Sequence, residues 1–180
     1  MIITISGESG SGKTTVGQLL AKTLNYEFIS GGFFFRKKAE QYRMELNEFS
    51  KYAESHPEID REEDEMIVNF LRSHDNIVLE SRLSGFMAYK NNIQSFRIYL
   101  NANFTTRLNR LMGRDSGVTR SQIIGRERSE IIRYMEFYGI DYRTYSYYNY
   151  IIDTDSCTPD EIARNIIAAS ALKYTEKNKG

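Results

Sequence analysis

The segment Gly7-Glu8-Ser9-Gly10-Ser11-Gly12-Lys13-Thr14 fits G-x-x-x-x-G-K-[ST] in full, between an apolar run at Ile2 to Ile5 and a helical stretch from Thr14 to Leu24. Glycines without a Cβ let successive backbone N–H groups curve around a phosphate at a helix N-terminus, where orphan amides and the helix dipole favour negative charge. In such a loop Lys13 reaches the β- and γ-oxygens and the Thr14 hydroxyl ligates Mg²⁺. A chain of this composition would contain the pattern by accident roughly once in 200 sequences, before any demand on its flanks. Here the flanks read as strand and helix, so a mononucleotide phosphate site is expected. What the chain does with the phosphate is left open by the motif.

The rest of the chain keeps the same rhythm. Short apolar runs at Phe28-Ile29, Ile77 to Leu79, Phe96 to Leu100 and Tyr150 to Ile152 have strand length, and amphipathic stretches separate them. This β-α-β-α order predicts an α/β fold of three layers, a parallel sheet with helices on both faces. Thr119 with Gln122 and Thr158 with Glu161 match the capping box, and Pro159 stands at a first helical position, opening a last helix to about Tyr174. Asn47 is expected to cap a short helix carrying Phe49 and Tyr52, and Pro57 to start one through Asp64, Ile67, Val68 and Leu71. That helical insert between the second and third strands is too long for a plain crossover, so it shapes a site. With 180 residues, two prolines and no Gly/Ser-rich tract, a single domain over residues 1–180 is expected.

Lys+Arg (24) equals Asp+Glu (24), which argues against general binding to nucleic acid or an anionic membrane. Cys157 has no cysteine to pair with. No apolar run approaches the roughly 18 residues of a membrane span, and no secretory pattern opens the chain. The expectation is a cytoplasmic monomer without nucleic-acid, membrane or obligate protein partners. A GTPase needs N-K-x-D and D-x-x-G at usable positions, and neither is present. A motor ATPase usually ends its corresponding strand in Asp-Glu, whereas Ile77-Val78-Leu79-Glu80 ends in one acid and continues Ser81-Arg82. A small kinase fits better, since it must hold a second substrate opposite the γ-phosphate and neutralise charge on the transferring group.

The arginine supply agrees. No lysine occurs from Asn91 to Leu172, yet eight arginines stand between Arg107 and Arg143. Arginine is the planar, always charged, bidentate phosphate ligand. Arg107, Arg110 and Arg114 recur on one helical face, Gly113 to Gly117 break the helix, and the capped stretch from Thr119 brings Arg126 and Arg133 onto one face. Two helices with a short connection make a lid. Taken singly, each arginine also reads as part of a solvated helix with i,i+4 salt bridges, and Arg120 and Arg143 are read so.

On the acceptor side, Ser30-Gly31-Gly32-Phe33-Phe34-Phe35-Arg36 is a turn opening a helix after the second strand, where ligands of doubly wound folds bind. Arg36 and Arg82 are expected to meet an acceptor phosphate from two sides. Glu80 is expected to hold Mg²⁺ through water, with a structural acceptor for the phosphate loop as the alternative. Phe33, Phe34 and Phe35 read as core packing. The seven tyrosines from Tyr134 to Tyr150 read as helix ends packing onto the sheet, in preference to base stacking. His56 and His74 lack metal-ligand spacing.

Taken together, the run ITISGESGSGKTTVGQLLAKTL, the Ser30 to Arg36 segment, EFSKYAESHPEIDREED from Glu48, VLESRLSGFMA from Val78 and RERSEIIRYMEFYGID from Arg126 resemble the archaeal type of cytidylate kinase. The resemblance implies the three-layer P-loop nucleoside monophosphate kinase fold: a five-stranded parallel sheet (core 1–30, 75–106 and 147–176), a helical NMP-binding insert at about 31–74 and an arginine-rich lid at about 107–146. It implies transfer of the ATP γ-phosphoryl group to CMP or dCMP with Mg²⁺. The ATP phosphates then lie on Gly7, Glu8, Ser9, Gly10, Ser11, Gly12, Lys13, Thr14 and Thr15. The acceptor lies on Ser30, Gly31, Arg36, Asp60 and Arg82, with Arg61 and Asp64 nearby. Arg110, Arg114, Arg126, Arg128 and Arg133 form the catalytic lid set with Lys13. Two positions depart: Phe33 stands where related kinases are usually acidic, and Leu83 where the bacterial enzymes carry an aspartate that reads the base. Another acceptor, AMP, UMP or a shikimate-like alcohol, and a nucleotide-dependent switch remain the alternatives.

Overall fold

The computed structural model describes residues 1–114 and 117–177, with side chains to Ala171. Five strands, β1 (Ile2–Ser6), β2 (Glu27–Ser30), β3 (Ile77–Glu80), β4 (Phe96–Asn101) and β5 (Tyr150–Asp153), form one parallel sheet in the order β2-β3-β1-β4-β5. Every residue of β1 is buried, as a central strand covered on both faces requires. Because β1 pairs with β3 on one side and β4 on the other, the strand order reverses above its carboxyl end, and the crevice there is where such sheets bind ligands.

Side-chain alternation along the strands feeds two cores. On one face Ile3, Ile5, Val78 and Ile98 pack with Val16 and Leu20 of α1 (Lys13–Leu24) and Ile162 and Ile166 of α8 (Pro159–Lys177). On the other, Ile77, Leu79 and Tyr99 pack with Leu83, Phe86, Tyr134 and Tyr148. The buried tyrosines thus do what their sequence clustering suggested, while Tyr145, in the 3₁₀ turn Tyr145–Tyr147, stays exposed. A short helix α5 (Ser84–Lys90) went unforeseen, since Ser84 to Ala88 are all buried and carry no polar-apolar period to read.

Between β2 and β3 run α2 (Gly31–Gln41), α3 (Leu46–Glu54) and α4 (Glu58–Ser73), around a small core of Ala39, Phe49, Ala53 and Ile59. Asn47 does not cap α3. The helix starts after Glu45, whose carbonyl accepts from the Phe49 N–H at 2.8 Å, so that Leu46 joins the apolar face with Phe49 and Ala53. Phe34 and Phe35 pack as expected, but Phe33 is 53% exposed, because the helix turns it away from both cores.

After β4 come α6 (Phe104–Arg114) and α7 (Arg120–Tyr138). The Thr119 capping box forms in both directions, Gln122 N–H to Thr119 Oγ1 at 3.3 Å and Thr119 N–H to Gln122 Oε1 at 2.8 Å. The Thr158–Glu161 box before α8 forms likewise. Of the expected break from Gly113 to Gly117, Asp115 and Ser116 lie outside the described residues.

Candidate active site

The phosphate loop leaves β1 and enters α1 with Gly7, Gly10 and Gly12 all at positive φ. At Gly10, with φ +77°, a Cβ would stand 2.6 Å from the Arg107 carbonyl oxygen, so the loop and α6 approach as closely as they do only with glycine there. Lys13 Nζ donates to the Glu8 carbonyl at 2.9 Å. Burial, with Arg82 adding repulsion, pushes the Lys13 ammonium down to about 7. An incoming phosphate would restore the charge.

Glu80, at the end of β3, accepts from Thr14 Oγ1 at 3.1 Å and from Ser30 Oγ, and so joins the loop helix to the end of β2. This carboxylate beside a threonine hydroxyl is a hard-oxygen donor set suited to a cation that also takes phosphate oxygens and water.

A cavity of about 380 Å³ opens above these groups, walled by the phosphate loop, by Gly32, Phe35, Arg36, Leu46 and Glu63 of the insert, and by Arg110, Arg114, Arg126, Arg133 and Tyr134 of α6 and α7. Its arginines divide by what they hold. Arg82 makes two bonds to Glu130, Nε to Oε2 at 2.6 Å and Nη2 to Oε1 at 3.1 Å, and reaches the Gly7 carbonyl and the Ser9 hydroxyl. Burial alone would raise Glu130, but Arg82 holds it below the usual carboxylate range. Arg107, 4% exposed, bonds the Ser9 carbonyl, Glu8 and Glu127. Arg110 bonds the Gly10 carbonyl and both oxygens of Thr154, beyond β5. Arg133 Nη1 donates to both Asp60 oxygens at 3.1 Å.

Arg36 and Arg126 are different. Both line the cavity, neither forms an ion pair among the described residues, and the Arg126 Nε is buried without a partner. Burial pulls both guanidinium groups below the ordinary arginine value. Glu80 pulls the other way on Arg36 and Glu130 on Arg126, but neither carboxylate pairs with them, so both guanidinium groups keep donors for an anion.

Behind Arg133 the α4 carboxyl groups face α7. Burial pushes Asp60 up to about 6 against the opposing pull of Arg133, and Asp64, which accepts from Tyr138 Oη, up to about 7. Glu63, reachable through the cavity, is raised well above its ordinary value by burial and by Asp64 and Asp60.

The structure therefore brings the loop residues Ser9 to Thr15, Glu80, Arg82, Arg36, Arg110, Arg114, Arg126 and Arg133 to one cavity. It sets six predicted positions apart from the lining, Gly7 and Glu8 at the start of the loop among them. Ser30 reaches it only through Glu80, Asp60 stands behind Arg133, Gly31 lies under Ser81, and Arg128 is exposed on α7. Sequence reasoning missed Glu63, Glu130 and Thr154. Glu130 carried a readable signal, four residues after Arg126 on the same helical face.

The family model described as the cytidylate kinase-like family matches residues 2–156. The chain belongs to that family. It is 43% identical over 166 residues to the cytidylate kinase of Thermoplasma acidophilum, covering 91% of this chain and 88% of that one. It is 42% identical over 181 residues to the cytidylate kinase of Methanocaldococcus jannaschii, covering 98% and 100%. Solved structures share the fold at lower identity: a gluconokinase from Sinorhizobium meliloti (TM-score 0.67, 16% identical, 99% and 96% covered) and a shikimate kinase from Acinetobacter baumannii in complex with shikimate (0.63, 19%, 96% and 93%).

Proposed function

We propose that this member of the family transfers the γ-phosphoryl group of ATP to CMP or dCMP. The observation that carries the reading is the pairing, in one cavity, of a phosphate loop with two arginines held in no ion pair among the described residues, the exposed Arg36 and the half-buried Arg126. One phosphate site serves a donor, and the second needs an anionic acceptor. The curated relatives supply the acceptor's identity by their names.

In this reading the loop amides and Lys13 hold the β- and γ-phosphates, and Arg36 and Arg126 turn an acceptor phosphate oxygen in line with the γ-phosphorus. Arg114 faces the transferring group and neutralises the charge that spreads over its oxygens. Arg82 and Arg110 act through the loop they brace. Residues 31–74 then form the acceptor side and 107–146 the lid, whose closure keeps water from competing as acceptor. Thr14 and Glu80 would hold Mg²⁺, which supplies charge neutralisation on the β- and γ-oxygens when bound. Its substrates are small molecules, and a zero net charge agrees with a role away from nucleic acid.

The test is ADP release from ATP and Mg²⁺ against CMP, dCMP, UMP, AMP, GMP, shikimate and no acceptor. Release that depends on CMP or dCMP is expected. Release indifferent to every acceptor would replace the kinase by a nucleotide-dependent switch.

A further inference from the structure

The wall of the cavity away from the phosphate loop is closed by Phe35, Leu46 and Tyr134, an apolar box that carries two polar groups, Glu63 and Arg133. Glu63 Oε1 lies 3.2 Å from where a Cβ on Gly31 would be, so the glycine leaves it the room to stand there. Arg133 is 1% exposed. Its Nη1 is spent on Asp60, and its guanidinium lies over the Phe35 ring at 5.3 Å, which together fix its orientation. Its Nε is buried without a partner. A fully buried arginine with an unspent donor, beside a carboxyl group on a cavity wall, is an incomplete hydrogen-bond set. Leu83, where bacterial relatives of the fold place a base-reading acid, is 2% exposed in the core. Base recognition therefore needs other residues.

We propose that Glu63 and Arg133 read the acceptor base, Glu63 accepting from an exocyclic amino group and the Arg133 Nε–H donating to the ring nitrogen beside it. The inference rests on the CMP reading above and extends it to the base. Cytosine presents this pair as N4–H₂ beside N3. Uracil reverses it, with O4 beside N3–H, and sets a donor against the Arg133 Nε–H whichever proton state Glu63 holds. Phe35 and Tyr134 supply the flat apolar surfaces a pyrimidine ring needs. Asp60 is the positioning residue, since it holds Arg133 in place. Adenine carries the same pattern, N6–H₂ beside N1, so AMP belongs in the test.

The experiment measures kcat and KM of the full chain, Glu63→Ala and Glu63→Gln with CMP, UMP, AMP and the 2-pyrimidinone ribonucleoside 5′-monophosphate, which is CMP without its amino group. The wild type is expected to prefer CMP over that analogue by about tenfold to a hundredfold, the range of one hydrogen bond to a charged or strongly polar partner. Glu63→Ala should lose that preference through KM for CMP, with KM for ATP unchanged. Glu63→Gln, whose amide oxygen still accepts from the amino group, should keep the preference for CMP over the analogue within about threefold. Because the glutamine variant is nearly isosteric, it keeps the inference open to test if the alanine variant does not fold. A Glu63→Ala enzyme that still distinguishes CMP from the 2-pyrimidinone nucleotide, or a Glu63→Gln enzyme that no longer does, overturns the inference alone. A wild type that does not phosphorylate CMP overturns the acceptor reading and the inference with it.

Discussion

Asp64 makes a quantitative prediction about stability. Its carboxyl is 9% exposed, accepts from Tyr138 Oη, and is pushed by burial from 3.8 up to about 7. Between those values the folded protein keeps a proton that the unfolded chain has released. Stability from this group is therefore fully present below pH 3.8, falls as pH rises, and levels above pH 7. At about 1.4 kcal/mol per pH unit, raising the pH from 5 to 8 removes about 2.5 kcal/mol through Asp64. Asp64→Asn keeps the shape and a carbonyl acceptor for Tyr138 but cannot ionise. Urea unfolding of both proteins at pH 5, 6.5 and 8 should show the variant gaining on the wild type by that amount. Asp60 and Glu63 titrate in both proteins, and losing the Asp64 charge eases them, which moves the gap in the same direction. Two unfolding series that stay parallel within about 0.5 kcal/mol from pH 5 to 8 would refute the claim that this carboxyl is neutral when folded.

Lys13→Ala should lower kcat by about a hundredfold or more with the thermal melt unchanged, since its one hydrogen bond is to a loop carbonyl; near-normal turnover would remove the lysine from the donor site. Arg126→Ala should raise KM for CMP by about tenfold or more while leaving ATP binding, measured by calorimetry, within about twofold. Phe49→Ala, at 0% exposure with ring contacts to Phe35 at 5.0 Å and Tyr42 at 5.4 Å, should destabilise the protein by about 3–5 kcal/mol in urea unfolding; a loss under about 1 kcal/mol would mean that the insert core contributes little.

The strands and most helices were legible because each carries its own period or cap. All five expected strands form within one or two residues of where the apolar runs place them, and both capping boxes close. What the sequence hid was long-range. Asn47 looked like a cap by residue type, but the packing of Leu46 moved the helix start. The arginines were visible as a set, yet nothing local separates Arg126, which has no ion pair, from Arg82, spent on Glu130 forty-eight residues away. Glu63 was invisible for the same reason. It sits in an acidic run that reads as solvated surface, and only the fold of α4 against Gly31 turns it toward the cavity.

Gly10 rests on the Arg107 backbone, Arg107 grips Glu8, Ser9 and Glu127, Arg110 ties Gly10 to Thr154, and Arg82 bridges Ser9 to Glu130. The segment proposed as the lid is thus stitched to the phosphate loop. For protein engineering this means that residues 107–146 are not a cartridge: a chimera importing them from a kinase with another acceptor would arrive without the partners of Glu8, Ser9 and Gly10. Its first defect would be a slackened grip on ATP.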